Sequence, residues 1–197
     1  MRILSMRRGF DADHSSSTYH FFAIDRLTAG QRQAVQALTG ESARRRLRFH
    51  YGGDWSLPDG WDDKLLTLGY DVMVSESYDW WAVYLSLPRD PELLDRLAAY
   101  ECDLDGNGLF LHTVGERMIV SFGMQLNYSA AYGAFGEDPF EGLADLFEKV
   151  RGDLLAGDLS AAWAVYQTYG LDDEEGPEPV EPLSRSARTL LDIMEVY

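Results

Sequence analysis

Cysteine is almost absent from this chain of 197 residues. Cys102 is the single cysteine, which excludes an internal disulfide and a zinc site built from several cysteines. A lone thiol favours a reducing compartment. No long apolar run follows the basic start of the sequence, so we expect neither an export signal nor a membrane anchor. The sequence therefore predicts a cytoplasmic protein without a membrane partner.

Basic residues are scarce in most of the chain. The 17 basic residues oppose 33 acids, which gives a net charge of −16. Residues 1–50 hold nine arginines and four acids, whereas the rest of the chain holds eight basic residues and 29 acids. Such asymmetry affects association and solubility rather than the fold. The apolar fraction of 46% still predicts a folded core.

Composition divides the chain into four segments. They are a polar leader (1–17), a single domain (18–170), an acidic, proline-rich linker (171–182) and a C-terminal helix (183–197). Leu190, Leu191 and Met194 share one side of that helix. We expect this apolar stripe to dock on the domain or on a partner.

Hydrophobic periodicity predicts strands interspersed with helices. The predicted strands cover 19–24, 44–51, 71–77 and 80–88, followed by a hairpin over 109–124. The predicted helices cover 28–38, 62–68, 91–100 and 139–155. Two further helices are predicted to begin near residue 158 and at residue 184. This order favours an α+β fold with a mainly antiparallel sheet and helices packed on one face, plus C-terminal helices. Ferredoxin-like folds are the common example.

The alternation of residue types over 44–51 predicts a strand with a row of arginines on one face, which we call the basic ladder. Arg44, Arg46 and Arg48 fall on one face, and Leu47 and Phe49 fall on the other. Alternating arginines are typical of strands that contact phosphates, but the acidic remainder of the chain would repel a nucleic acid. We therefore expect acids of this chain or of a protein partner opposite the ladder, and nucleic acid is disfavoured.

One segment matches the first half of a calcium loop. Asp103, Asp105 and Asn107 provide oxygen ligands around Gly106, but Val114 stands where the bidentate glutamate is required. A turn leading into a hairpin explains the same residues. We favour the turn, with Asp103, Asp105 and Asn107 as a weak calcium candidate, and predict no metal or cofactor.

Tryptophans and acids occur close together in the central part of the chain. Asp62, Asp63, Glu76 and Asp79 flank Trp55, Trp61, Trp80 and Trp81. This combination is typical of a pocket for a carbohydrate or a cationic ligand, although tryptophans that fill the core and rim of a sheet are the favoured interpretation. Trp80 and Tyr84 fall on the face opposite to Trp81, where they could anchor a partner.

Signatures of catalysis are missing. The sequence contains no nucleophile elbow, P-loop or dinucleotide fingerprint, and its histidines lack the paired spacing of metal ligands. Cys102 stands among acids that should raise the pKa of its thiol. Two segments, GFDADHSSSTYHFFAID and YDVMVSESYDWWAVYLSLP, resemble stretches of small uncharacterised bacterial proteins, and this resemblance implies no activity.

Three functions follow as hypotheses. The leading one is a non-enzymatic interaction or regulatory module, a cytoplasmic bacterial adaptor that engages a basic protein. The second is a small-ligand-binding protein or enzyme with a tryptophan and carboxylate pocket. The third is an acidic mimic of nucleic acid that inhibits a nucleic-acid-binding protein. A homo-oligomer is left open. The candidate binding residues are Arg44, Arg46, Arg48, Trp80, Tyr84, Leu190, Leu191 and Met194.

Overall fold

The computed structural model describes residues 17–51, 57–78, 80–170 and 176–195. The predictions that involve the leader up to residue 16, Trp55, Asp79 and linker residues 171–175 lie outside these ranges. Everything that follows concerns the described residues.

A single antiparallel sheet forms the centre of the protein. Its seven strands are β1 (Ser17–Phe22), β2 (Arg46–Tyr51), β3 (Val72–Ser77), β4 (Trp80–Pro88), β5 (Cys102–Leu104), β6 (Asn107–Val114) and β7 (Arg117–Gln125). Their order across the sheet is β2-β1-β3-β4-β7-β6-β5, so β2 and β5 form its edges. Each strand pairs antiparallel with its neighbours.

Seven helices pack against this sheet in the described ranges. They are α1 (Ala29–Thr39), α2 (Trp61–Leu68), α3 (Pro91–Ala98), α4 (Tyr128–Phe135), α5 (Pro139–Leu155), α6 (Ser160–Tyr169) and α7 (Arg185–Ile193). The predicted α+β class with a mainly antiparallel sheet is thereby confirmed. None of the helices in the described ranges combines the length and the apolar character that a membrane span requires.

The helices divide between the two faces of the sheet, whereas the sequence suggested one face. Helices α3 to α7 contribute to the larger core, with Val83 and Leu85 of β4. Helices α1 and α2 cover a smaller core on the other face, which includes Phe21, Leu47 and Phe49. Strands β1 and β2 place these large apolar side chains on that second face, and they require a cover of their own.

Strand pairing also departs from the ferredoxin-like example. A βαβ crossover joins parallel strands. Here α1 lies between β1 and β2 in the sequence, yet these two strands are antiparallel neighbours. Local signals still set the helix ends, because Thr28 caps α1 with a capping box and Asp90 caps α3.

The C-terminal helix α7 docks on the domain itself. Leu190 and Ile193 are fully buried in the larger core, and Met194 is 4% exposed. Beyond the helix, Met194 forms a β-bridge with Leu126, and the amide of Glu195 donates to the carbonyl of Gln125 at 2.9 Å. Because Leu190 and Met194 are buried, they cannot contact a partner in this conformation. Leu191 is half-buried at the edge of the same core.

Ionisation of the buried Tyr70 phenol should destabilise the folded protein at alkaline pH. Tyr70 is fully buried and donates to the Arg44 carbonyl at 2.7 Å, and burial raises the pKa of its phenol to about 12. An unfolded tyrosine ionises near pH 10. The contribution of the neutral Tyr70 phenol to the free energy of unfolding is therefore fully present below about pH 10. It declines as the pH rises towards 12, by about 2–3 kcal/mol in total.

Urea unfolding of the natural chain and Tyr70→Phe across this pH range measures the effect. We expect a steeper decline for the natural chain, because phenylalanine cannot ionise. Equal slopes would show that Tyr70 does not contribute to the pH dependence.

Candidate functional site

Arginines of edge strand β2 pair with helix α5. Arg46 contacts both carboxylate oxygens of Glu141, at 2.9 and 2.8 Å, and Arg48 approaches the same carboxylate at 3.4 Å. The two arginine side chains are 61% and 59% exposed, so each pair contributes little stability. Arg44 precedes the strand and is exposed. The ladder thus has an intramolecular acid opposite it, one of the arrangements expected from the sequence.

A second group of arginines meets at Asp71, which precedes β3. Arg151 of α5 lies 3.0 Å from the Asp71 carboxylate, and Arg117 of β7 lies 3.9 Å from it. Both guanidinium groups also donate to the carbonyl of Ser86, at 2.9 and 3.0 Å. Burial lowers the pKa of Arg117, nearby Arg151 lowers it further, and Asp71 opposes the shift. Nothing local in the sequence signals this group.

The two arginine groups change how charge is distributed over the surface. Four arginines share two carboxylates, those of Glu141 and Asp71. Each group therefore holds more positive than negative charge. Because the chain as a whole carries −16, the negative excess over the remaining surface is larger than the net charge suggests.

An exposed aromatic surface lies where two hairpin turns meet. Tyr78 and Trp80 are 39% and 40% exposed, and both belong to the β3–β4 turn region. The Trp80 ring covers the β5–β6 turn so closely that a Cβ placed on Gly106 would lie 3.3 Å from Trp80 Cζ3. Asp103 and Asp105 of that turn are exposed. We call Tyr78, Trp80, Asp103 and Asp105 the hairpin patch.

The backbone of the β5–β6 turn positions the acids of the hairpin patch, and one of the two carboxylates is hydrogen-bonded within the turn. Asp105 and Gly106 form the two-residue loop between β5 and β6, with φ of 52° and 85°. Both values suit a type I′ turn, which favours the Asp-Gly pair. The Asp103 carboxylate accepts a 2.8 Å hydrogen bond from the Gly106 amide. The turn conformation and this hydrogen bond are those that the turn interpretation of the Asp-Gly sequence predicts.

The calcium candidate residues do not converge on one point. Asp103 pairs with Gly108, and Asn107 pairs with Leu104, so the side chains of Asp103 and Asn107 leave opposite faces of the hairpin. Asn107 is fully buried, and its amide group has no hydrogen-bond partner among the described residues. Within those residues, no group of three His, Cys, Asp or Glu is placed to hold a metal ion.

Trp61 and Trp81, two of the tryptophans of the predicted pocket, lie in different cores. Trp81 is 2% exposed in the larger core and donates to Tyr128 Oη at 3.2 Å. Trp61 lies in the smaller core, where its ring meets the Phe49 ring with centroids 5.0 Å apart. The sheet separates them, because helix α2 covers the face opposite to the one on which Trp81 lies. Alternate positions of a strand face opposite sides. Trp80, next to Trp81 in the chain, consequently reaches the surface.

Tyr84 shares the face of Trp80 but is held against the smaller core. Burial raises the pKa of its phenol, and the charge of nearby Asp62 and Asp63 adds to the rise. His112 lies 3.0 Å from the Asp63 carboxylate at the same side. Tyr84 is thus half-buried beside acids rather than fully presented to a partner.

The remaining nucleophile candidate is poorly reactive. Burial raises the pKa of the Cys102 thiol; the hydrogen bond with Leu109 opposes the rise, and the charge of Asp103 adds to it. A raised pKa reduces the thiolate fraction at neutral pH. His20 is buried, and its ring stacks on Phe140 with centroids 3.9 Å apart. These positions give Cys102 and His20 a packing role in the described structure.

Comparison with family models, curated proteins and solved structures finds no match. The resemblance to small bacterial proteins therefore stays a prediction.

Proposed function

We propose that this protein is a non-enzymatic interaction module whose hairpin patch binds a basic segment of a partner protein. One observation carries the proposal: a tryptophan that is 40% exposed lies directly against a turn with two exposed carboxylates. Trp80 can cover apolar or cationic groups, and Asp103 and Asp105 attract positive charge.

The chemistry of Trp80 suits a basic partner. An arginine or lysine placed over a tryptophan face gains about 0.5–1 kcal/mol at an exposed site. Tryptophan is also enriched among the residues that dominate binding energies at interfaces. The hydrogen bond from the Gly106 amide already holds the Asp103 carboxylate, so less conformational entropy is lost when a partner binds it.

The charge of the whole chain supports the same partner. A net charge of −16 accelerates encounter with a basic protein and slows encounter with an acidic one. We further propose a cytoplasmic bacterial setting, where the single Cys102 would stay reduced. A regulatory or adaptor role would follow from binding without chemistry.

Binding of a short peptide of alternating arginine and leucine tests the proposal. We expect the double variant Asp103→Asn, Asp105→Asn to weaken binding about fivefold or more, because rim charges are lost while asparagine still permits the turn. Trp80→Ala should weaken binding about thirtyfold, as expected for a residue that contributes about 2 kcal/mol. Calorimetry at low salt measures both.

Matched controls separate the hairpin patch from general charge and hydrophobicity. Asp25→Asn with Glu41→Gln removes two exposed acids elsewhere, and Leu155→Ala removes an apolar side chain that is 49% exposed on α5. Both should bind as the natural chain does. The proposal is wrong if these controls lose affinity equally, if the natural chain does not bind the peptide, or if a peptide with glutamate in place of arginine binds as well.

A further inference from the structure

A cleft with walls of opposite charge lies away from the hairpin patch, at the other end of strand β3. It has a volume of about 330 Å³ and runs between the ends of β1 and β2 and helix α5. Arg45 and Arg46 stand on the strand side, and Asp145 and Glu148 stand on the helix side. The apolar lining between them consists of Phe22, Ala23, Ile24, Val72 and Ala144.

The chain itself positions the two arginines of the cleft. Arg45 donates to the carbonyls of Ala23 and Ile24, where β1 ends. Arg46 is held by both oxygens of Glu141 and lies over the Phe22 ring, 5.9 Å from its centroid. Glu141 balances the charge of Arg46. Arg45 is bound to neutral carbonyls, so its positive charge remains available to an anionic group.

The two acids of the cleft lie one turn apart on α5. Asp145 and Glu148 are exposed, and across the described ranges neither has a cationic nitrogen within 4.0 Å. Residues three apart on a helix share a face. Together with Arg45, the cleft therefore offers one positive and two negative groups around an apolar lining.

We propose that this cleft binds a free α-amino acid whose side chain ends in a second cation, as in lysine or arginine. Such a ligand carries one carboxylate and two cationic groups, which complements the three charges. Its carboxylate would pair with Arg45, its two cations with Asp145 and Glu148, and its methylene groups would lie on the half-buried side chains of Phe22 and Ile24. A volume of about 330 Å³ lies at the small end of ligand pockets.

Titration with related small molecules tests each part of this complementarity. By calorimetry or NMR we expect lysine and arginine to bind with dissociation constants of about 0.1–1 mM, since all the charges are solvated. Norleucine lacks the second cation, cadaverine lacks the carboxylate, and glutarate lacks both cations. Each should bind about tenfold more weakly or not at all. Equal binding of cadaverine would reduce the site to a non-specific cation surface and overturn the proposal.

Two substitutions locate the binding. Glu148→Gln removes one acid from an exposed helix position, and Ala144→Leu fills the lining of the cleft. We expect each to weaken lysine binding about tenfold or more. Glu92→Gln, at an exposed position of α3, is the matched control for Glu148→Gln, and Ala98→Leu adds the same side-chain volume at another exposed position of α3; neither should affect lysine binding. Should Ala144→Leu disturb folding, Glu148→Gln alone decides.

The outcomes are distinct from those of the proposed function. Neither cleft substitution touches the hairpin patch, so binding of the basic peptide should persist in both. No lysine binding by the natural chain, or an equal loss in the α3 controls, would refute the cleft as an amino-acid site while leaving the hairpin patch untouched.

Discussion

Truncation after Gly170 is expected to unfold the domain. Composition alone predicts a core that survives this deletion, but Ala187, Leu190, Ile193 and Met194 are buried in the larger core. Full burial of one large apolar side chain contributes about 1.5–3 kcal/mol. Three such losses approach the whole stability of an ordinary domain, about 5–15 kcal/mol. Circular dichroism and thermal melting of the truncated chain measure the result.

A point substitution gives the same test in a chain of full length. Leu190→Ala should lower the free energy of unfolding by about 2–5 kcal/mol, because it leaves a cavity among α4, α5 and α6. Leu155→Ala, at a position that is 49% exposed, is the control and should change little. If the truncated chain melts cooperatively at an unchanged temperature, α7 does not belong to the core.

Substitution of Asp71 is expected to be the most damaging change of a single charged residue. Asp71 accepts from the amide of Ile24 at 2.9 Å and neutralises Arg151, whose side chain is only 16% exposed. Removal of one partner from a largely buried pair costs about 3–5 kcal/mol, since a charge is left without compensation. We expect Asp71→Ala to lose about that much stability in urea unfolding.

Glu141→Ala is the matched control for Asp71→Ala. It removes the other shared carboxylate, but its arginine partners are 61% and 59% exposed and remain hydrated. The loss should be about 1 kcal/mol or less. Equal losses at the two positions would mean that burial does not distinguish the two arginine groups.

Local pattern was sufficient to predict much of the fold. Alternation in β2 separates the arginines from Leu47 and Phe49, and alternation in β4 places Trp81 inside and Trp80 outside, as the structure shows. The helix predicted over 28–38 is within one residue of α1 at both ends, and its first residue, Thr28, is the N-cap. These features depend on residues a few positions apart, so the sequence displays them directly.

Features that depend on distant residues could not be predicted. Arg151 meets Asp71 only because α5 crosses the sheet, and the tryptophans separate because α2 and α5 cover different faces. Helix α4 was missed, although Asn127 caps it with a hydrogen bond to the Ala130 amide. The hairpin patch joins two turns that are remote in sequence. An Asp-Gly pair predicts the second turn but not the tryptophan that covers it.

Mapping of the arginine–leucine peptide by NMR tests the central claim most directly. On titration into the natural chain labelled with ¹⁵N, we predict the largest chemical-shift changes at the indole N–H of Trp80 and at the amides of Asp105 and Gly106. Amides of α1, which lies under the opposite end of the sheet from this turn region, should stay unchanged. Changes concentrated on α5 or α7, with Trp80 unaffected, would contradict the account.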